Sequence, residues 1–214
     1  MKPSTLPVTL EPPLVAILRG LPPQDALLVG RALVDGGLRL LEVPLNRPRA
    51  LDSIRTLAME MPGHVIVGAG TVLSRLDVDA VVRAGGRLIV SPNSDPVVIR
   101  HAVQAGLICM PGVATPTEAF AALDAGAHVL KLFPAEMVRP EGLKALASVL
   151  PPETPLWPVG GIEPSSLARW VDAGATGFGI GSRLYRPGRA ADELQADARA
   201  CVDAWQACRP GAAR

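Results

Sequence analysis

Apolar residues along the chain are grouped in eight short runs, and longer amphipathic stretches separate these runs. Each run is four to six residues long, and together they cover residues 14–18, 38–43, 65–68, 87–91, 107–110, 128–133, 155–159 and 176–180. A short, nearly continuous apolar run is typical of a strand that is buried on both faces, as in a parallel sheet. The pattern therefore predicts eight parallel strands with helices between them.

A recurring dipeptide marks the ends of the predicted helices. Five intervening stretches finish in Ala-Gly or Gly-Gly just before the next run, at residues 36–37, 85–86, 105–106, 125–126 and 173–174. Glycine in this place suits the left-handed residue that commonly ends a helix. The clearest helix start is at residues 115–118, where Thr-Pro-Thr-Glu supplies an N-cap, a first-turn proline and a capping-box glutamate.

Eight units of strand and helix favour closure into one α/β barrel of the (β/α)8 or TIM type. We expect this single domain to take up residues 1–214, with a closing helix at 188–208 and a frayed tail at 210–214. No linker or low-complexity segment divides the chain.

Composition narrows the class of partner. The formal charge is +1 and charged residues make up 19% of the chain, so the sequence has no concentration of positive charge that would bind nucleic acid or a membrane surface. No apolar run is long enough for a membrane span or a signal peptide. The cysteines and histidines lack the spacing of a disulfide framework or a metal site. We expect a cytoplasmic protein that acts on a small molecule.

Every predicted strand is followed by a polar residue or by a glycine or proline turn. In chain order these are Arg19, Glu42 with Asn46, residues 68–71, residues 91–93, Pro111 with Gly112, Lys131, Gly160 with Gly161, and residues 179–182. In a (β/α)8 barrel the chemistry lies at the C-terminal ends of the strands. Glycine and proline also mark ordinary turns, so both interpretations stay open for Pro111 and Gly112.

Lys131 and Glu42 stand out because each lies inside an apolar strand. A buried ammonium must find a carboxylate or lose its proton, and a neutral lysine amine can attack a ketone to form a Schiff base. The two residues could form a structural ion pair, or a nucleophile with a proton shuttle. Of the other lysines, Lys144 is expected on a helix surface and Lys2 in a loose N-terminus.

The turns after the last two predicted strands suggest a phosphate site. Gly160, Gly161, Gly181 and Ser182 follow strands seven and eight, where barrels often hold a phosphate with backbone N–H groups. Arg19, after strand one, could pair with a substrate carboxylate or with the phosphate, or form a salt bridge at the rim.

The chain resembles the 2-keto-3-deoxy-6-phosphogluconate and 2-keto-3-deoxy-6-phosphogalactonate aldolases. The resemblance rests on Glu42, residues 68–72, residues 111–112, residues 117–118 and residues 131–135. The resemblance implies that Lys131 is the Schiff-base lysine and Glu42 the general acid and base. It further implies that Thr71 contacts the pyruvoyl end of the substrate. Arg19 would be a binding arginine, and the four glycine and serine positions would hold the phosphate. Members of the family are homotrimers that use no catalytic metal, and no cofactor is implied.

Two stretches favour the galactonate branch, whose substrate would be cleaved to pyruvate and D-glyceraldehyde 3-phosphate. They are Pro-Leu-Asn at residues 44–46 and Val159 before the glycine pair, where gluconate-type enzymes have other residues. Arg47 is one position away from the gluconate-type arginine, so we expect it to point to the other side of the chain. The alternatives are the gluconate epimer or both epimers as substrate, a metal-independent phosphosugar epimerase, and a non-catalytic phosphosugar-binding barrel.

Overall fold

The computed structural model describes residues 10–209, so the expectations for Lys2 and for the tail at 210–214 lie outside the described residues. The strands are β1 Leu14–Ile17, β2 Leu40–Pro44, β3 Ile66–Gly70, β4 Leu88–Val90, β5 Ile108–Met110, β6 Gly112–Val113, β7 Leu130–Leu132, β8 Leu156–Pro158 and β9 Phe178–Ile180. The helices are α1 Pro23–Asp35, α2 Ala50–Glu60, α3 Arg75–Arg83, α4 Pro96–Gln104, α5 Pro116–Asp124, α6 Ala135–Ala147, α7 Leu167–Asp172 and α8 Ala191–Cys208, with a short 3-10 helix at Pro164–Ser166 before α7.

All strand pairs are parallel, which confirms the α/β class. The strands form a six-stranded sheet in the order β5-β4-β3-β2-β1-β9 and a three-stranded sheet in the order β6-β7-β8. The fifth predicted strand is divided at Pro111: β5 pairs with β4, and β6 pairs with β7. Proline has no backbone N–H to donate, so it suits a position where a strand changes partners.

Backbone hydrogen bonds also join the two sheets at both edges. At one edge the His128 N–H donates to the Cys109 carbonyl at 3.0 Å, and at the other Val159 forms a bridge with Gly179. The parallel strands therefore curl around a common interior.

The helices begin and end where the sequence signals lie. Thr115 and Glu118 form the predicted capping box at the start of α5. A glycine with positive φ follows each of the five helices that we expected to end in this way, namely Gly37, Gly85, Gly106, Gly126 and Gly174. No helix among residues 10–209 has the length and apolar character needed to cross a membrane.

The buried apolar residues form two clusters on opposite faces of the strands. In β1, Leu14 and Ala16 belong to the cluster between the sheets and the helices, whereas Val15 and Ile17 belong to the cluster in the interior. Because successive strand residues point to opposite faces, β1 to β5 and β8 each contribute to both clusters. The interior cluster forms the floor of the site described next.

Candidate active site

The period of two along the strands brings Glu42 and Lys131 into the interior. Leu40 and Val129 belong to the interior cluster, and Glu42 and Lys131 follow them two residues later. Both charged side chains line a cavity of about 10 Å³, which we call the inner chamber. Its other walls are Val15, Ile17, Val90, Met110, Val159 and Gly179. A space of this size holds about one water molecule.

Burial changes the protonation of both groups in the inner chamber. Glu42 is 2% exposed, and burial raises the pKa of its carboxyl from 4.5 to about 7, against the opposing pull of Lys131 and Arg19. Burial lowers the pKa of Lys131, as does the positive charge of Arg19, whereas Glu42 raises it. The environment thus favours a neutral amine beside a carboxyl group that can hold or release a proton near neutral pH.

The two charged groups act on each other without forming an ion pair. None of the ion pairs or hydrogen bonds found within residues 10–209 joins Glu42 to Lys131, and the Oε2 atom of Glu42 is buried with no hydrogen-bond partner. An unpaired buried carboxylate oxygen destabilises a fold. The expected alternative of a structural ion pair is therefore not the arrangement in this structure.

A neighbouring glycine provides the space for the Glu42 carboxyl group. β2 pairs with β3, and the register sets Glu42 opposite Gly68 and Pro44 opposite Gly70. A Cβ atom at Gly70 would overlap both carboxylate oxygens of Glu42. A side chain as small as that of alanine would force the carboxyl group to move.

Phe133 covers the reactive nitrogen of Lys131. The Nζ atom lies 4.5 Å from the centroid of the Phe133 ring. The same ring packs against the interior cluster and lines the larger cavity described next. Phe133 therefore lies at the boundary between the inner chamber and the outside.

The larger cavity, which we call the outer cavity, has a volume of about 730 Å³ and opens at the C-terminal ends of β1, β7, β8 and β9. Most of the predicted binding residues meet on its walls: Arg19, Val159, Gly160, Gly161, Gly181 and Ser182. Ile17 and Val159 line both cavities. The outer cavity thus adjoins the inner chamber directly. A cavity of this size fits a small-molecule ligand.

The turn after β8 has a backbone conformation that calls for glycine. Gly160 and Gly161 have φ values of 117° and 62°, a combination that favours glycine at both positions. Glu136, in the first turn of α6, packs against both glycines and lines the outer cavity. The Ala135 N–H donates to the Val159 carbonyl at 2.9 Å and so holds the start of α6 beside this turn. Glu136 was not among the residues predicted for the site.

Thr71 was expected in the site and Arg47 was expected outside it, and the structure places both differently. Thr71 follows β3 with a positive φ of 57°, a strained conformation for a threonine, but it lies on the wall of neither cavity. Arg47 lines the outer cavity together with Arg19, so the expectation that it points away was wrong. The alternation of side chains ends with β2 at Pro44, and Arg47 lies in the turn beyond it.

Within residues 10–209, no group of three or more His, Cys, Asp and Glu side chains is arranged to hold a metal ion. The groups on the walls of the two cavities can supply nucleophilic attack by an amine, proton transfer by a carboxyl group, and anion binding by backbone N–H groups and arginines.

Comparison with known proteins finds the same family from sequence and from structure. Residues 8–198 match the family model of KDPG and KHG aldolases. The chain is 45% identical over 194 residues to a 2-dehydro-3-deoxy-6-phosphogalactonate aldolase of Escherichia coli K12, covering 91% of this chain and 95% of that one.

Two solved structures match closely. One is a native KDPGal structure, with a TM-score of 0.90 and 42% identity, covering 97% of this chain and 98% of that chain. The other is a cube-shaped protein cage designed by fusing symmetric oligomeric domains, with a TM-score of 0.89 and 45% identity, covering 92% of this chain and 73% of that chain.

Proposed function

The chain belongs to the family of KDPG and KHG aldolases, and from this membership we propose that it cleaves 2-dehydro-3-deoxy-6-phosphogalactonate into pyruvate and D-glyceraldehyde 3-phosphate through a Schiff base on Lys131. The observation that carries the proposal is the inner chamber. It holds a lysine whose pKa burial lowers and a glutamate whose pKa burial raises to about 7, without an ion pair between them.

In the first half of the reaction the keto acid becomes bound to the enzyme. The neutral amine of Lys131 attacks C2, the C2–N bond forms, and the carbonyl oxygen takes the proton of Glu42. The nitrogen of this adduct then gives a proton back to Glu42, which leaves a neutral carbinolamine. Glu42 protonates the hydroxyl group of the carbinolamine, water leaves, and the nitrogen lone pair forms the C=N bond of a protonated imine. Burial raises the pKa of Glu42 to about 7, and a group that can hold or release a proton near neutral pH suits these transfers.

In the second half the C3–C4 bond breaks. Glu42 takes the proton of the C4 hydroxyl, C4 becomes an aldehyde carbon, and the C3–C4 electron pair forms the C2–C3 double bond of an enamine. The electrons of the C=N bond return to the nitrogen. Glyceraldehyde 3-phosphate leaves, C3 is protonated, and water hydrolyses the imine to release pyruvate and the free amine. The imine itself is the electron sink of the reaction.

The outer cavity suits the phosphate end of the substrate. Gly160, Gly161, Gly181 and Ser182 would bind the phosphate with N–H groups and a hydroxyl, and Arg19 would supply a positive charge on the same wall. We propose that Thr71, in the turn after β3, contacts the pyruvoyl end of the substrate, a role that its place outside the walls of the two cavities does not itself support.

The galactonate epimer is supported by Val159 and by Pro-Leu-Asn at residues 44–46, together with the name of the relative in Escherichia coli K12. Val159 lies on the wall of both cavities, where the middle of the substrate would pass. Side-by-side assays of the galactonate and gluconate substrates decide between the epimers, and equal rates would favour an enzyme that accepts both.

We also propose that the nine strands work as one closed barrel and that the protein is a homotrimer. The hydrogen bonds at both edges of the two sheets support the barrel. The relative used as a symmetric oligomeric domain in the designed cage supports the oligomer. Exposed apolar side chains at Leu73, Leu76 and Val97, near the starts of α3 and α4, offer a surface for subunit contact.

Reduction with sodium borohydride in the presence of pyruvate tests the mechanism. Borohydride converts an imine into a stable amine, so we expect added mass on the peptide that contains Lys131. The matched control is Lys144, which is exposed on α6: Lys131→Met should abolish labelling and turnover, and Lys144→Met should change neither. Labelling at Lys144 would overturn the assignment of Lys131 as the nucleophile, and the absence of any labelling would favour the non-covalent epimerase chemistry instead.

A further inference from the structure

The mechanism leaves one contact of the reactive nitrogen unused. The Nζ atom of Lys131 lies 4.5 Å from the centre of the Phe133 ring, which is within the range of a cation–π interaction. Phe133 is two residues further along the same chain segment and belongs to the stretch 131–135 that the sequence analysis singled out. Nothing in the reaction described above gives this ring a role.

The surroundings make such a contact strong. Lys131 is 7% exposed and does not line the outer cavity, whereas Phe133 does, so the ring separates the nitrogen from the solvent in that cavity. A cation on an aromatic face gains more free energy when water is excluded. The other charged groups that act on Lys131 are Glu42 in β2 and Arg19 after β1.

We propose that Phe133 is a further catalytic residue, whose ring face stabilises the positive charge on Nζ in the protonated imine. This inference rests on the proposed Schiff-base function. When the carbinolamine loses water, the nitrogen lone pair becomes part of the C=N bond and the nitrogen becomes positive. When C3–C4 breaks, the electrons return to nitrogen and the charge disappears. The ring therefore favours the imine over the neutral free amine, and it gives no advantage to the enamine.

The protonation state of the free Lys131 decides how much the ring favours the imine over the free lysine. Above the pKa of Lys131 the free amine is neutral, so the ring stabilises only the imine. Below that pKa both the free ammonium and the imine are positive, and the ring stabilises both. As long as the imine keeps its proton, the contribution of the ring to imine formation should therefore be larger above the pKa of Lys131 than below it. A contribution from shape or packing alone would not follow this course.

Replacement of Phe133 by phenylalanines with increasing ring fluorination tests the inference. Fluorine withdraws charge from the ring face while the shape and apolar character stay nearly the same. At alkaline pH we expect the pyruvate concentration for half-maximal borohydride trapping to rise stepwise with fluorination, to about 2- to 30-fold above that of the unmodified enzyme. The same series at Phe120, a partly exposed residue of α5, should leave trapping unchanged.

Two natural variants give a second measurement. Phe133→Tyr keeps an aromatic face and should trap pyruvate nearly as well as the wild type, whereas Phe133→Leu should show the loss at alkaline pH and a smaller one at acid pH. If trapping at Lys131 succeeds but the pyruvate concentration for half-maximal trapping does not change with fluorination, the role of the ring is overturned. A loss of trapping in Phe133→Leu that is equally large at all pH values would overturn it as well. Failure of the wild type to be trapped at all would instead overturn the proposed function.

Discussion

The Cα atom of Gly70 lies so close to the Glu42 carboxyl group that a Cβ atom in this position would overlap its oxygens. The position of the proposed proton carrier thus depends on a residue in the neighbouring strand that has no functional group of its own.

Gly70→Ala should therefore damage the chemistry while leaving the fold intact. The added methyl group displaces the carboxyl group from its place in the inner chamber, and a displacement of about 1 Å commonly lowers a rate by roughly 100-fold. We expect kcat to fall by about this factor and KM to change much less, because the phosphate residues lie in the outer cavity. Steady-state kinetics measures both. Gly63→Ala is the control, since a Cβ atom there has no neighbour within 4 Å. Unchanged kcat in Gly70→Ala would contradict the positioning role.

Glu42→Gln should make the protein more stable at high pH. Burial raises the pKa of Glu42 from 4.5 to about 7, so the folded protein keeps a proton that the unfolded chain has already released. The free energy of unfolding of the wild type therefore falls as the pH rises from 4.5 to about 7. The amide removes this loss, and we expect an advantage that grows across this window to on the order of 3 kcal/mol.

Urea unfolding of both proteins at pH values on either side of this window measures the difference. An advantage that is the same at acid and alkaline pH would mean that Glu42 does not hold its proton in the folded protein. The same variant should also lose most of its turnover.

His128→Asn should weaken the sensitivity of the fold to acid. The Cys109 N–H donates to Nδ1 of His128 at 3.1 Å, at the edge where the two sheets meet, and burial lowers the pKa of this histidine. As the pH falls below 6.5, the unfolded chain takes up a proton before the folded protein does, so stability is lost. Protonation of Nδ1 would also remove the acceptor, a loss on the order of 1 kcal/mol.

Asparagine can offer an oxygen near the position of Nδ1 without titrating. The unfolding temperature of His128→Asn relative to that of the wild type should therefore rise as the pH falls from 8 to 5. The comparison is made as a difference because Glu42 contributes the opposite pH dependence to both proteins. His64→Asn, at an exposed position, should keep the acid sensitivity of the wild type. If the unfolding temperature depends on pH in the same way in all three proteins, protonation of His128 does not destabilise the edge where the two sheets meet.

Ser182→Ala should weaken the binding of the phosphorylated substrate but not the binding of pyruvate. Loss of one hydroxyl donor at the proposed phosphate site should raise KM by about 2- to 10-fold, the effect of one hydrogen bond. Pyruvate carries no phosphate, so the concentration of pyruvate for half-maximal borohydride trapping should stay unchanged. A weaker trapping of pyruvate would place Ser182 at the other end of the substrate.

The strands, the turns between them and the two central charges could be predicted from local sequence. Glu42 and Lys131 were conspicuous because a charge inside an apolar strand is costly wherever that strand lies. The division of the fifth strand at Pro111 was not predicted, because it depends on which strands lie on either side.

The other residues of the site depend on distant neighbours. The importance of Gly70 comes from the register between β2 and β3. Glu136 has the pattern of an ordinary acid in a first helical turn, and only the packing of α6 against Gly160 brings it into the cavity. Arg47 was misplaced because the alternation of a strand was extended into a turn, where it no longer applies.

The division into an inner chamber and an outer cavity has a consequence for the reverse reaction, in which pyruvate adds to an aldehyde. In the proposed mechanism, the carbon that becomes nucleophilic lies in the inner chamber between the strands, whereas the acceptor aldehyde meets walls built mainly from the loops that follow them. We expect the choice of nucleophile to resist change and the choice of electrophile to be open to redesign. Loop substitutions beyond Ser182 are therefore the place to begin if the chain is to be used for making new carbon–carbon bonds.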